Sequence, residues 1–519
     1  MIAGSRALNQ PRREPQQRRE NVFKKNCVHR ADGGLIAGAA VARAQDSGAL
    51  LELLVKKGLI SDQEAEDVRS DLVKENAGTA AGKLKLSTPL TELEIYGDAR
   101  VRYEIRTAKS GAPDTIDSPS DSTQRNRARY RLRLGLRGTL VDDWFFGLRL
   151  ETSTNPRSAN ITFGDDSSVN GPFSKDSDRI SVGQAYLGYI GLRDFTFTVG
   201  RMPNPFVTTT MTWDPDINPE GLAEQWKHTF NISSGSHSSA STGSYSKDGT
   251  STVAASQTSE PSTMSIDVFA NFAQFVYDDT NPENPVGPAP NGIPQKDAYL
   301  LGWQIGAKVN FTKTMYLQLA PTLYNYTGNG DSFNTHFSGD PAFKVTDPTT
   351  GVVTTVTPNQ TGVNSLLVFD MPGEFGWTFH EIPMRVFSDF AVNFNGDDRA
   401  AAAGHPDKGD NRYAYQIGLG IGKVKVKHDW EASVAWQHVD QYAVDPNLVD
   451  SDIYDSRVNI EGVAVRLGYA VTDAITANLT YGYGWQIDNN LGTGGVGDAF
   501  SLNPLREYQI FQADLSVKF

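Results

Sequence analysis

Five arginines at alternate positions, Arg125, Arg127, Arg129, Arg131 and Arg133, form the densest array of chemistry in this chain, and Arg137 continues their parity. On an extended strand alternate side chains share a face. The guanidiniums therefore make one ladder, while Tyr130, Leu132, Leu134 and Leu136 make the opposite, apolar face. Arg100, Arg102 and Arg106 repeat the pattern on a neighbouring segment. A wall of fixed positive charge beside water attracts anions wherever the passage along it narrows. The bland alternative is that these arginines pair with acidic groups from a loop folded against them. Segment 203–221 carries such acids, Asp214, Asp216 and Glu220, and is stiffened by Pro203, Pro205, Pro215 and Pro219. An acidic loop facing a basic wall would give a transverse field and a size-limited, weakly selective constriction. The plainer reading of the same segment is an ordinary surface loop.

Other chemistry is sparse. His29, His228, His237, His336, His380, His405, His428 and His438 show no metal-ligand spacing. The Ser/His coincidences of the Ser-rich stretch lack the strand-to-helix setting of a nucleophile elbow. Asp165-Asp166 and Asp176/Asp178 read as solvated surface acids, although such pairs can hold a divalent ion. The lone Cys27 permits no internal disulfide, no cysteine metal site and no c-type haem. No catalytic residue, metal or cofactor is expected, and the chain is read as a non-enzyme.

The first 44 residues hold nine Lys/Arg against three Asp/Glu and end Ala42-Arg43-Ala44 before Gln45. They read as a leader with cleavage after Ala44, or as a misassigned start. Without them the counts fall from 48 and 61 to 39 and 58, and the net charge moves from -13 to -19. So acidic a chain argues against nucleic-acid binding.

Which elements would position the arginines? Residues 48–76 suggest two short helices, with Ser61 and Glu64 as a capping box, and 77–91 a polar linker. From Leu93 the period becomes two. In 298–311, Tyr299, Leu301, Trp303, Ile305, Ala307, Val309 and Phe311 alternate with small or polar residues. Segments 93–106 and 474–486 alternate likewise. No run of about 18–20 apolar residues exists to make a membrane-spanning helix. Most alternating segments exceed the roughly 5–6 residues of a globular strand and meet the roughly 9–11 of a tilted membrane strand. Aromatics such as Tyr103, Trp144, Trp377, Trp430 and Trp485 sit near segment ends, as interfacial girdles would.

Sixteen strands follow: 93–106, 126–140, 144–153, 180–191, 195–202, 222–231, 264–278, 298–311, 314–327, 364–378, 382–395, 412–423, 429–443, 458–471, 474–486 and 507–519. Long and short connections alternate, as in bacterial barrels. Residues 232–263, Ser/Thr-rich, break that rule: either a short turn carries an insertion or a strand is misplaced. The chain is thus expected to be all-β, a transmembrane antiparallel β-barrel of about sixteen strands behind a short N-terminal helical segment. The expected division is a leader over 1–44, a helical periplasmic segment and linker over 45–91, and the barrel over 92–519. Arginine facing lipid at mid-depth costs roughly 2–4 kcal/mol, so the basic ladder must face the lumen.

The chain resembles the large putative-porin family of Gram-negative bacteria. The resemblance is carried by Leu50–Glu75, Glu94-Ile95-Tyr96-Gly97-Asp98-Ala99-Arg100, the arginine-rich second strand, Val199–Pro205 and Trp213–Gly221. The last motif is also similar to a segment of phosphate-selective porins. The final strand, with Phe511, Ala513, Leu515, Val517 and Phe519 alternating with polar residues, resembles the signature read by the barrel-assembly machinery. Membership implies an outer-membrane channel for passive diffusion of small hydrophilic solutes or ions. An anion-selective, phosphate-type channel and a non-conducting scaffold or adhesin stand as alternatives. Implied partners are outer-membrane lipid and lipopolysaccharide, the assembly machinery, small solutes and further copies in a homotrimer.

Overall fold

In the computed structural model, residues 55–57, 63–65, 68, 87–110, 122–153, 158–164, 179–232, 264–278, 298–327, 343–346, 353–356, 365–494 and 504–519 are described. The expected leader, Cys27 and residues 233–263 of the insertion lie outside them. The chain divides into two compact units, Met1–Leu86 and Ser87–Phe519. In the first, Val55-Lys56, Gln63–Ala65 and Val68 are helical; the rest of the expected helical pair lies outside the described residues.

Period-two alternation builds the second unit. Its strands are β1 (Leu90–Ser110), β2 (Ser122–Leu140), β3 (Trp144–Ser153), β4 (Arg179–Tyr189), β5 (Phe195–Arg201) and β6 (Glu220–Ile232). Then come β7 (Met264–Asp278), β8 (Ala298–Thr312), β9 (Met315–Leu319 with Thr322–Thr327) and β10 (Leu367–Asp370 with Gly373–Phe379). Last are β11 (Ile382–Asn393), β12 (Tyr413–Gly422), β13 (Trp430–Val439), β14 (Ile460–Ala470), β15 (Ile475–Gln486) and β16 (Leu505–Lys518). Each pairs antiparallel with its sequence neighbour, and β16 returns to β1, with Asp98 opposite Lys518 and Lys109 opposite Glu507. The sheet is a closed sixteen-stranded barrel, so it has no open edge.

Proline explains why two strands are split. Pro321 interrupts β9 and Pro372 interrupts β10, and neither can donate to the ladder. Both carbonyls still accept, from Ile305 N at 3.1 Å and from Ala320 N at 3.1 Å. At the short-connection end, His380 and Glu381 join Phe379 to Ile382 with φ of 45° and 66°. Two positive φ values suit the twist of a two-residue hairpin, although neither residue is the Asn or Gly that favours it.

The outward face is apolar: Ile95, Val101, Leu132, Ile305, Leu479 and Leu515 are all exposed. Trp144 and Tyr189 pack 5.1 Å apart near the short turns, and Tyr415 and Trp436 at 5.4 Å toward the other end. Among the described residues no helix is long and apolar enough to cross a membrane. Ile232 stands opposite Met264, so β6 and β7 are sequential neighbours in register. The anomalous 232–263 stretch is therefore an insertion in a turn on the short-connection side, and no strand was misplaced.

Candidate functional site: the lumen wall and two inward loops

Parity turns the arginines of β1 and β2 into the barrel, where nearly every one meets an acid. Arg102 grips Asp514 of β16 with two bonds, 2.7 and 2.9 Å, and reaches Asp452 at 2.7 Å. Glu104, fully buried on the same face, receives Arg106 at 3.1 Å and also Arg127, with Arg129 at 3.8 Å. Arg131 and Arg133 share Asp98, at 2.9 and 2.6 Å, and Asp216, at 3.4 and 3.3 Å. Arg100 donates to Asn160 at 2.7 Å and lies 3.8 Å from Asp514. Arg125, half-buried, stands opposite Arg106 in register. The alternative of neutralisation is what the geometry shows. Three of these five acids come from the wall itself, because Asp98, Glu104 and Asp514 share the arginines' parity.

The remaining acids come from two loops. The first, residues 202–219 between β5 and β6, folds into the lumen. Phe206 meets Tyr324 edge-on at 5.6 Å and Phe275 at 6.0 Å, and Met202, Met211 and Trp213 are buried beside them. Buried Gln304 of β8 pins this loop by receiving Val207 N at 3.0 Å and donating to Val207 O at 2.9 Å. Thr209 bonds Asp389, and Thr212 bonds Asp370 at 3.3 Å. Asp214 and Asp216 of the expected constriction lie here. Glu220 does not: it opens β6, keeps the outward parity of exposed Leu222, and pairs with Arg201 at 3.3 Å outside the lumen. The expectation for Glu220 is corrected because the strand begins one residue earlier than the loop was thought to end.

Sequence reasoning missed the second loop. Residues 440–459, between β13 and β14, are buried almost throughout and include the one-turn helix Ser451–Tyr454. Val444, Leu448 and Val449 join the apolar cluster of the first loop, and Ile453 and Tyr454 pack with Leu505, Tyr508 and Ile510. A Cβ at Gly462 would lie 2.5 Å from the Tyr454 ring, so only glycine leaves that seat open. The available signal was a run of apolar residues, Ala443-Val444 and Leu448-Val449, inside a stretch with the length of a surface loop.

The loops grip each other. Asp214 N donates to Leu448 O at 2.6 Å and Asp450 N to Thr210 O at 3.2 Å. Asp214 Oδ2 accepts from Ser451 N at 3.2 Å and from Ser451 Oγ at 3.1 Å. Burial, then the charges of Asp450 and Asp216, push the Asp214 carboxyl well above the usual carboxylate range. Asp216 is only partly buried, and Arg131, Arg133 and Arg100 outweigh its desolvation and hold it low. Against partial burial, Arg102 and Arg100 hold Asp452 well below the usual range. Burial and the neighbouring Asp452 raise Asp450 to about 6.

Other lumen-facing charges remain wet. Arg466 of β14 is 46% exposed, and Arg385 of β11 is 48% exposed although Glu374 lies at 2.9 Å. Among the described residues no group of three or more His, Cys, Asp or Glu could hold a metal.

Comparison with curated proteins gives no significant match. Among solved structures the chain is similar to outer-membrane expressed OmpT of Vibrio cholerae, at 12% identity over 84% of this chain and 100% of that one, with a TM-score of 0.36. The family model described as "Putative porin" matches residues 55–350, more than half of the 519 residues, and this chain belongs to that family.

Proposed function

We propose that the protein is an outer-membrane channel through which small hydrophilic solutes and ions diffuse passively. The observation that carries this reading is a closed barrel, apolar outside, whose lumen-facing Arg466 and Arg385 are about half exposed to water. Charges so open to water have no place in a dry, side-chain-filled barrel. Short turns face the periplasm in this reading, and no catalytic step is involved. Selectivity is weak, because the arginine ladder is offset by Asp98, Glu104, Asp216, Asp452 and Asp514. A strongly anion-selective, phosphate-type pore built on that ladder is correspondingly disfavoured.

Planar-bilayer recording of the refolded chain tests the proposal. Steady ohmic steps are expected. A second reading, a barrel scaffold whose lumen stays closed, draws on the apolar packing between the two inward loops. Barrels that insert and refold yet never conduct would favour it.

A further inference from the structure

Arg466 stands apart from the lumen arginines of β1 and β2. Arg102, Arg106 and Arg127 have side chains no more than 5% exposed and acids in direct contact. Arg466 is 46% exposed, and Asp450 Oδ2 lies 4.0 Å away, beyond hydrogen-bonding reach. Its inward direction is fixed by its neighbours. Ala464 packs with Ile453 and Tyr454, and a Cβ on Gly468 would meet the side chains of Glu431 and Asn478. The register also places Arg466 in a polar row across four strands, opposite Ser433 and Thr480, with Gln512 beyond. Hydroxyls and an amide flank the one guanidinium there.

We propose that Arg466, and not the arginine ladder of β2, is the residue that attracts and briefly holds small anions in the lumen, with Asp450 of the overhanging loop as its competitor. The proposal rests on the channel reading. A guanidinium carries five donors in a planar fork suited to carboxylate or phosphate. In the ladder Arg127, Arg129, Arg131 and Arg133 already contact acids, so an anion entering there must displace an ion pair. At Arg466 it displaces water and a loose contact.

The competitor is itself titratable. Asp450 faces Asp214 and Asp216 of the first loop, Asp452 of its own loop and Arg466 of β14. Its Oδ1 accepts from Asp452 N at 3.0 Å. Arginine neighbours lower the Asp216 and Asp452 carboxyls, and burial raises that of Asp214. The Asp450 carboxyl, 4.0 Å from Arg466, is raised to about 6 by burial and by Asp452. Below that pH it is neutral and Arg466 is uncontested; above it the negative charge competes with the passing anion. Anion preference should therefore strengthen in acid.

The test uses the full chain in planar bilayers, with reversal potentials in a potassium chloride gradient on either side of about pH 6. Arg466→Gln should shift the reversal potential toward cation selectivity and remove its pH dependence. Asp450→Asn should shift it the opposite way and also flatten the pH profile. Chloride NMR line widths of the detergent-folded proteins give a readout that needs no conduction, and heat-modifiable gel mobility verifies folding. Broadening by the wild type that Arg466→Gln abolishes supports the proposal. A conducting Arg466→Gln channel with wild-type selectivity overturns it and leaves the channel reading standing. Absent conduction would count against the channel reading, while unchanged line widths in folded Arg466→Gln would still overturn the anion site.

Discussion

Gly97 and Phe519 exchange two backbone hydrogen bonds, of 2.9 and 3.0 Å, and the Phe519 ring fills the space where a Gly97 side chain would begin. The pair extends the β1–β16 seam by one step beyond Asp98 and Lys518. A Cβ on Gly97 would lie 2.7 Å from the ring and 2.5 Å from Arg133 O. Gly97→Ala should therefore destabilise the barrel by about 1–3 kcal/mol, the usual cost of overpacking. Phe519→Ala removes one of the two clashes but not the carbonyl, so the penalty should shrink in that background without vanishing. Urea unfolding in micelles, run as a double-mutant cycle, reads this out, and additive effects would refute the contact.

Glu104 is the node of the buried charge network, with Arg106, Arg127 and Arg129 gathered on one carboxylate that is fully buried. Arg106 also pairs with Asp455 at 3.0 Å, but removing the negative partner of a buried pair typically costs about 3–5 kcal/mol. Glu104→Gln should lower the unfolding midpoint accordingly. The Lys109–Glu507 pair is as short, 2.6 Å, but its side chains are 49% and 30% exposed. Glu507→Gln should change stability by no more than about 1 kcal/mol. Equal effects of the two substitutions would mean that the network is not dry.

The strands were legible because burial against lipid on one face and water on the other imposes period two on every strand, whatever its partners. Tyr299–Phe311 shows this plainly: its odd residues are outside and Leu300, Gly302 and Gln304 are inside. The arginine ladder's inward direction followed from the same parity. What each arginine touches did not, because Arg102 meets Asp452 and Asp514 from 350 and 412 residues away. Pattern within a strand carries no information about contacts at that separation. The second inward loop failed for a related reason: Val444 and Leu448 look like exposed apolar residues until Met211 and Trp213 are brought against them. Glu220 was misplaced by a boundary, the least determined feature of any strand.

The pairing of β6 with β7 runs up to Ile232 and Met264, the residues that flank 233–263. Replacing it with Asn-Gly, a dipeptide suited to a type I′ hairpin, should give a chain that folds with unchanged heat-modifiable mobility and, in bilayers, unchanged conductance. Failure to fold would show that the insertion helps to set the register of those two strands.

The grip between the loops should loosen as pH rises. Asp214 and Asp450 have carboxyl pKa values raised in the folded state, chiefly by burial. A raised carboxyl contributes fully below its unfolded value, about 3.9 for Asp, and loses that contribution as pH climbs through its folded value. For Asp450 the window runs from there to about 6. Asp216 and Asp452 are lowered and act the other way, contributing above the ordinary carboxylate range and failing only in stronger acid. Between mildly acidic and neutral pH the ionisation of Asp450 therefore weakens the grip, and Asp214 acts in the same direction. Ionised Asp450 adds a charge beside Asp452 and Asp216, across the seam where Asp450 N donates to Thr210 O. Amide hydrogen exchange over residues 440–459, corrected for the intrinsic pH dependence of exchange, should show protection falling as pH passes about 6. Asp450→Asn should hold the protected level throughout. A wild-type profile as flat as that of Asp450→Asn would mean that the loops are held by their apolar contacts alone.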